Sequence, residues 1–263
     1  MNKSEKKRML KELKEKKSAE FDVIELYPKI ENVLADTSLK CYFHPLLTYR
    51  HTINGKDYKI HLLGTDGLYC EESFLNSERN FFGFDYNDGK YKFLGNIECF
   101  IGYEKIPMVY DFLIRDFQEN KDGYLSGKVS TEKYLKGIEN ELKKLANFEN
   151  FDAITYYAEA IYSYEFTKYN YEKTGEHVHI SAITDNFVKD KNNFLLDKND
   201  ALSVLDEFFI NLQWNLENDY GISKDMFCCA TDRFRFMSIV GDGMVFALLD
   251  KSVEKIYILE YSS

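Results

Sequence analysis

The sequence predicts an α+β fold: hairpin-rich antiparallel sheet packed against several helices, with a long C-terminal helix followed by a β-meander. Three observations predict it. The dipeptides Asn54-Gly55, Asp66-Gly67, Asp88-Gly89, Asp122-Gly123 and Asp242-Gly243 favour the positive-φ backbone of tight turns, and most punctuate runs rich in Tyr, Phe, Ile and Val. Helical periodicity is concentrated in the middle of the chain and again just after residue 200. Helices and strands thus come in blocks rather than in strict alternation, which argues against a doubly wound sheet.

Taken in order, residues 1–20 form a charged helical arm. They hold eight Lys or Arg against four Glu, with only Met9, Leu10 and Leu13 as an apolar stripe. Pro28 suits the first turn of a short helix over residues 29–35. Residues 46–53 and 58–63 flank Asn54-Gly55, the clearest hairpin in the chain. Further strands are expected at 68–70, 81–86, 90–94 and 97–103. Residues 107–118 read as an amphipathic helix with Val109, Phe112, Leu113 and Phe117 inward. Ser130 caps a helix reaching residue 147. Asn150 caps the next, which Gly175 ends and which is apolar on more than one face, as the most buried helix would be.

Residues 177–184 alternate as a strand, and Asp200 caps a long helix ending near Gly221, with Leu202, Leu205, Phe209, Leu212 and Leu216 as its core stripe. Strands at 227–230, 234–240, 244–249 and 255–261 close the chain. The run around Met244 is apolar on both faces, as in a central strand covered on both sides. No repeat or linker divides the sequence, so residues 21–263 read as one domain behind the arm. A split into two halves near residue 125 is the alternative.

Composition narrows the functional classes. The chain carries 34 basic and 44 acidic residues, a net charge of −10, and the body beyond the basic arm is more acidic still. Such a body repels nucleic acid and anionic membrane surfaces. The five cysteines are odd in number and lack paired metal spacing, which points to reduced thiols and a cytoplasmic setting. No apolar run is long enough to span a bilayer. The 20 Tyr and 21 Phe suit broad sheets, and AT-rich bacterial or phage coding sequence produces the same bias.

No stretch spells a catalytic signature; Walker loops, serine elbows and HExxH are absent. The candidate metal site is His177 and His179, which share one strand face with Ser181 while Val178, Ile180 and Ala182 share the other. With the apolar set inward, two imidazoles stand on a polar surface and could hold a divalent metal if His44, His51, His61 or carboxylates converge on them. A solvated strand face is the plainer reading. Glu159 and Glu165 lie among Tyr156, Tyr157, Tyr162 and Tyr164; either, if buried, could move a proton near neutrality, but a tyrosine hydrogen bond to a partly covered glutamate is the plainer reading. Six residues apart, they point in different directions and form no carboxylate pair. Cys228 and Cys229 read as small core residues. The candidate binding surface is Ile210 and Trp214, one helical turn apart and rimmed by Glu207 and Glu217, the composition of an interface anchor.

Residues 97–123, IECFIGYEKIPMVYDFLIRDFQENKDG, carry Ile106-Pro107, Tyr110, Phe112, Leu113 and Asn120 in an order that resembles the core of the SUKH immunity superfamily. The resemblance implies a strand-turn leading through proline into a helix and then an Asn/Gly loop, and an immunity-type role. The expected function is a cytoplasmic, non-catalytic module that binds another protein, with a basic toxin as the natural partner and no cofactor. The alternative is a metal-assisted hydrolase built on His177 and His179 with a divalent metal.

Overall fold

The computed structural model describes residues 23–70, 76–78, 80–125, 131–146, 151–181, 186–189, 194–211, 220–237 and 243–262. The chain is mixed helix and antiparallel sheet. Strands β1 (Val23–Leu26), β2 (His44–Ile53) and β3 (Lys56–Gly64) form a three-stranded sheet in that order. Asn54 and Gly55 turn β2 into β3 with φ of 51° and 79°, the type I′ geometry their side chains permit. The larger sheet runs β4 (Ser77–Glu78), β5 (Phe81–Asn87), β11 (Lys255–Ser262), β10 (Gly243–Asp250), β9 (Phe227–Asp232). A further strand, β6 (Lys90–Phe93), pairs with β5 through the Asp88-Gly89 turn, with φ of 48° and 80°. Strands β7 (Val178–Ser181) and β8 (Asn186–Lys189) make a separate hairpin.

Alternation along β10 and β11 puts two cores on opposite faces of the larger sheet. Val245, Ala247, Leu249, Ile256 and Ile258 join the main core, which draws on residues from Tyr27 onward and includes the buried faces of β2 and β3. Phe246, Leu248, Tyr257 and Leu259 face the other way and meet Ala201 and Leu205. Those two come from a helix over Lys198–Asn211, and covering a side chain such as Leu205 stabilises by about 2 kcal/mol. The expected central strand around Met244 is therefore present, lying between β11 and β9.

In chain order the helices are α1 (Ile30–Val33), α2 (Ile106–Leu125), α3 (Thr131–Ala146), α4 (Phe151–Thr174) and α5 (Lys198–Asn211). Helix α4 packs against α2, α3 and β7. It is buried on more than one side, through Ile154, Ala158, Ile161, Tyr162 and Phe166. Gly175 ends it at φ +71°, its N–H returning to the Tyr171 carbonyl at 2.8 Å. Many tyrosines are buried cross-links rather than surface. Tyr157 and Tyr164 of α4 donate to the main-chain carbonyls of Cys41 and Pro45, each at 2.7 Å, and Tyr42 donates to that of Tyr103. A ring fills the core while its hydroxyl satisfies a main-chain carbonyl.

Several expectations are corrected. Residues 97–103 are not a strand: Ile97–Cys99 is a 3-10 turn capped by the Asn96 side chain, and turns follow it. Residues 68–70 pair only at one bridge, Cys70 with Phe100. Asp122-Gly123 lies inside α2, where Gly123 has open space around it and helical hydrogen bonding overrides turn preference. Arg233–Arg235 is a 3-10 turn where a strand was expected, because Asp232 caps it by accepting from the Phe234 N–H. The cap of α5 is Asp197, not Asp200; it accepts from the Asn199 N–H at 2.9 Å. The long C-terminal helix is described only as α5, and the last described element is the strand β11. The arm over residues 1–20, and Ser130, Asn150 and Asp242, lie outside the described residues.

Candidate functional site: an apolar hollow beside a buried ion cluster

Where β3 ends, residues 65–68 make a tight turn, with the Leu68 N–H bonded to the Thr65 carbonyl at 3.1 Å and Gly67 at φ +84°. A type II turn needs that positive φ at its third position, and glycine supplies it. Gly67 is also required by packing. A Cβ there would stand 2.6 Å from the Tyr157 Cα, so the turn lies directly on the backbone of α4. The chain beyond the turn runs beside residues 100–101, and the Ile101 N–H donates to the Tyr69 carbonyl at 2.8 Å.

These contacts leave an open hollow of about 320 Å³, solvent at its mouth included, between the turn, the start of α2 and the start of α4. Leu68, Tyr69, Ile101, Ile106, Val109 and Ile154 line it. Tyr69 is 47% exposed, and Met108, on the same turn of α2 as Ile106 and Val109, is 45% exposed. Glu98 and Glu104 are exposed on the segment that supplies Ile101. Its lining side chains are apolar or aromatic, a chemistry that suits an apolar group.

Beneath the same turn lies a cluster of charges. The Arg233 Nη1 stands 3.6 Å from Asp66 Oδ1 and 3.4 Å from Glu260 Oε2, with all three side chains buried. Tyr156, next to Tyr157 on α4, donates to Asp66 Oδ1 at 2.9 Å, and the Thr65 N–H donates to Glu260 Oε1 at 2.7 Å. Gly243 leaves room for the guanidinium: a Cβ at that position would fall 2.8 Å from Arg233 Nε and Nη2. Burial raises the Glu260 pKa above the usual carboxylate range, with Arg233 and the Thr65 N–H working against the rise. Burial also opposes the charge on Arg233, but Asp66 and Glu260 outweigh it and hold the guanidinium more firmly protonated. The cluster binds the end of β3, the 3-10 turn after β9, β11 and α4 to one another. Its charges face each other and not an open cleft.

The residues singled out from sequence fall elsewhere. His177 and His179 are 1% and 6% exposed, so their strand face is turned inward and not, as expected, to solvent. The reason is packing: β7 lies against α4. His177 also sits among the rings of Tyr27, Phe194 and Phe236, and His179 meets Phe234. The Tyr27 hydroxyl and His177 Nε2 are 2.9 Å apart, and the two imidazole centroids are 6.2 Å apart. No group of three His, Cys, Asp or Glu among the described residues is placed to hold a metal ion. His61 engages Thr48 Oγ1 through Nδ1 and the Gly89 carbonyl through Nε2. Burial drives the His44 pKa down to about 3 and that of His61 to about 4.

On the other candidate surface, Glu207 is exposed on α5. The side chain of Ile210, and Trp214 and Glu217 altogether, lie outside the described residues. Glu165 is buried with a pKa raised by desolvation, and the Lys168 Nζ lies 3.7 Å away. Cys228 and Cys229 are buried core residues whose thiols burial pushes up, Cys228 to about 12.

Sequence reasoning missed Asp66, Arg233, Glu260, Tyr69 and Met108. One signal was available: Glu260 is the lone acid in the apolar run of β11, and a carboxylate at a covered strand position demands a buried cation.

The described helices include none long and apolar enough to cross a membrane. The chain matches no family model, no curated protein and no solved structure. The likeness of residues 97–123 to the SUKH core also parts from the geometry. The leading strand is a 3-10 turn, and Asn120 sits within α2, its Nδ2 donating to the Asp116 carbonyl, where a loop was implied.

Proposed function

We propose that the protein is a non-catalytic binding module that seats an apolar side chain of a basic protein partner in the hollow between residues 65–70, α2 and α4. The observation that carries this reading is the open apolar lining, with Tyr69 half-exposed in it and Met108 exposed on the same turn of α2 as the lining residues Ile106 and Val109, while the nearby Glu260 carboxylate is enclosed. Large side chains held half-open around an apolar recess are the usual makings of an interface anchor. The net charge of −10 selects the partner's sign, since opposite charge speeds encounter and like charge suppresses wrong partners. An immunity-type inhibitor of a basic toxin in a bacterial conflict system fits these terms.

The test starts from capture on immobilised wild-type protein run in parallel with a Tyr69→Ala/Met108→Ala double variant. A protein retained by the first and lost by the second is then purified and titrated. A 1:1 complex weakened about 10- to 100-fold by the double substitution supports the reading, in line with truncation of two anchor residues. Equal retention by both forms, or an affinity that the substitutions leave unchanged, contradicts it.

A further inference from the structure

We propose that Cys70 and Cys99 form a reversible dithiol–disulfide pair oxidised by a peroxide. Their sulfur atoms are 4.0 Å apart, with the Cys70 Sγ–H directed at Cys99 Sγ. The backbone places them there. Cys70 is bridged antiparallel to Phe100, and the Ile101 N–H to Tyr69 carbonyl bond fixes the two segments side by side. One residue along from an opposed pair, the two Cα atoms come to lie on the order of 6 Å apart, within the span a disulfide bridges. Rotation about the Cα–Cβ bonds can then bring the sulfurs into bonding distance without moving either segment far.

The two thiols have distinct roles. The hydrogen bond from Cys70, aided by the Ser77 hydroxyl, lowers the Cys99 pKa against the opposing effect of burial. Cys99 is thus the thiol that gives up its proton more readily and serves as the nucleophile. It attacks one oxygen of hydrogen peroxide, the O–O bond breaks, and the departing hydroxide takes a proton to leave as water. The product is a sulfenic acid on Cys99. The Cys70 sulfur, losing its proton, attacks the Cys99 sulfur; the S–O bond breaks and a second water leaves. Two thiols and one peroxide thus give one disulfide and two waters, and a dithiol reductant reverses the bond by exchange. Cys41, Cys228 and Cys229 lack this arrangement, and burial pushes each of their thiols upward.

Cys70 adjoins Tyr69 and Cys99 lies two residues from Ile101, so the bond would brace one wall of the hollow. The inference itself is independent of any partner. Intact protein is treated with hydrogen peroxide, denatured, alkylated and digested. The expected product is a joined peptide linking Cys70 to Cys99, lighter by two hydrogens and released by dithiothreitol, with Cys41, Cys228 and Cys229 alkylated. In Cys70→Ser the bond is lost and dimedone traps a sulfenic acid on Cys99; in Cys99→Ser it traps none on Cys70. Circular dichroism confirms that both variants are folded, so that loss of the link is not read from unfolded chain. Absence of the joined peptide from folded wild-type protein under excess peroxide would overturn the proposal. So would a link between other cysteines, or dimedone labelling confined to Cys70.

Discussion

Replacing Arg233 with Met should convert the buried cluster from a tie into a source of instability, with a pH signature that a simple packing defect lacks. The guanidinium sits within 3.6 Å of both Asp66 and Glu260, and nothing in Met can replace its charge. Two carboxylates would be left covered. Breaking a buried ion pair from one side costs about 3–5 kcal/mol, because the stranded charge keeps its desolvation penalty. For a chain of this size that is a fall in Tm of about 6–15 °C. The sign with pH follows from Glu260. Its folded pKa is already raised above the ordinary glutamate value of 4.5, so the native state holds that proton more tightly than the unfolded chain does. Stability contributed by such a group is present below 4.5 and is lost as pH rises through the folded pKa. Without Arg233 the folded pKa rises further and the window widens. The variant should therefore lie furthest below wild type at about pH 8 and recover part of the gap at about pH 5. Urea unfolding of both proteins at each pH measures it, and comparing variant with wild type cancels the titration of groups they share. A gap below about 0.5 kcal/mol at both pH values, or one that grows on acidification, would refute the account of the cluster.

Three other outcomes follow from the same geometry. Gly67→Ala and Gly55→Ala share the left-handed backbone penalty, but only Gly67 would drive a Cβ into the Tyr157 backbone, so it should cost about 1–3 kcal/mol more in urea unfolding; equal losses would contradict the close approach. His44 and His61 are held neutral at folded pKa values of about 3 and about 4, against 6.5 in the unfolded chain. Their contribution is full above 6.5 and falls as pH drops toward 4, so wild-type Tm should decline across that interval and His44→Leu should flatten the decline; a slope unchanged by His44→Leu would count against it. If His177 and His179 serve as packed core rings, a slight excess of zinc should leave Tm where it was. A zinc-dependent rise abolished by His179→Ala would instead establish a metal site there.

Much of the fold could be read from local chemistry. Asn54-Gly55 and Asp88-Gly89 dictate two-residue turns wherever they sit between strand-forming runs, and both do. The run around Met244, apolar on both faces, identified a strand covered on both sides because that pattern requires two cores. Misreadings arose where tertiary contacts decided between local options. Asp122-Gly123 is as good a turn pair as Asp88-Gly89, yet α2 continues through it because its apolar face is already committed against α4. His177 and His179 read as a polar face by residue type alone. Only the aromatic surroundings supplied by Tyr27, Phe194, Phe234 and Phe236, distant in sequence, make that face the buried one. The ion cluster was illegible for the same reason: Asp66, Arg233 and Glu260 are far apart along the chain and meet through sheet topology. The hollow depends on Gly67 resting against α4, a proximity that no window of sequence encodes.

The most direct test of the binding role is the rate at which the captured partner associates with the purified protein, measured across salt concentration with wild-type and Tyr69→Ala/Met108→Ala protein. Charge should bring the partners together and the hollow should hold them. Association should therefore slow markedly as salt rises for both proteins, while the double variant dissociates about 10- to 100-fold faster. Salt-independent association together with an unchanged dissociation rate would contradict that account.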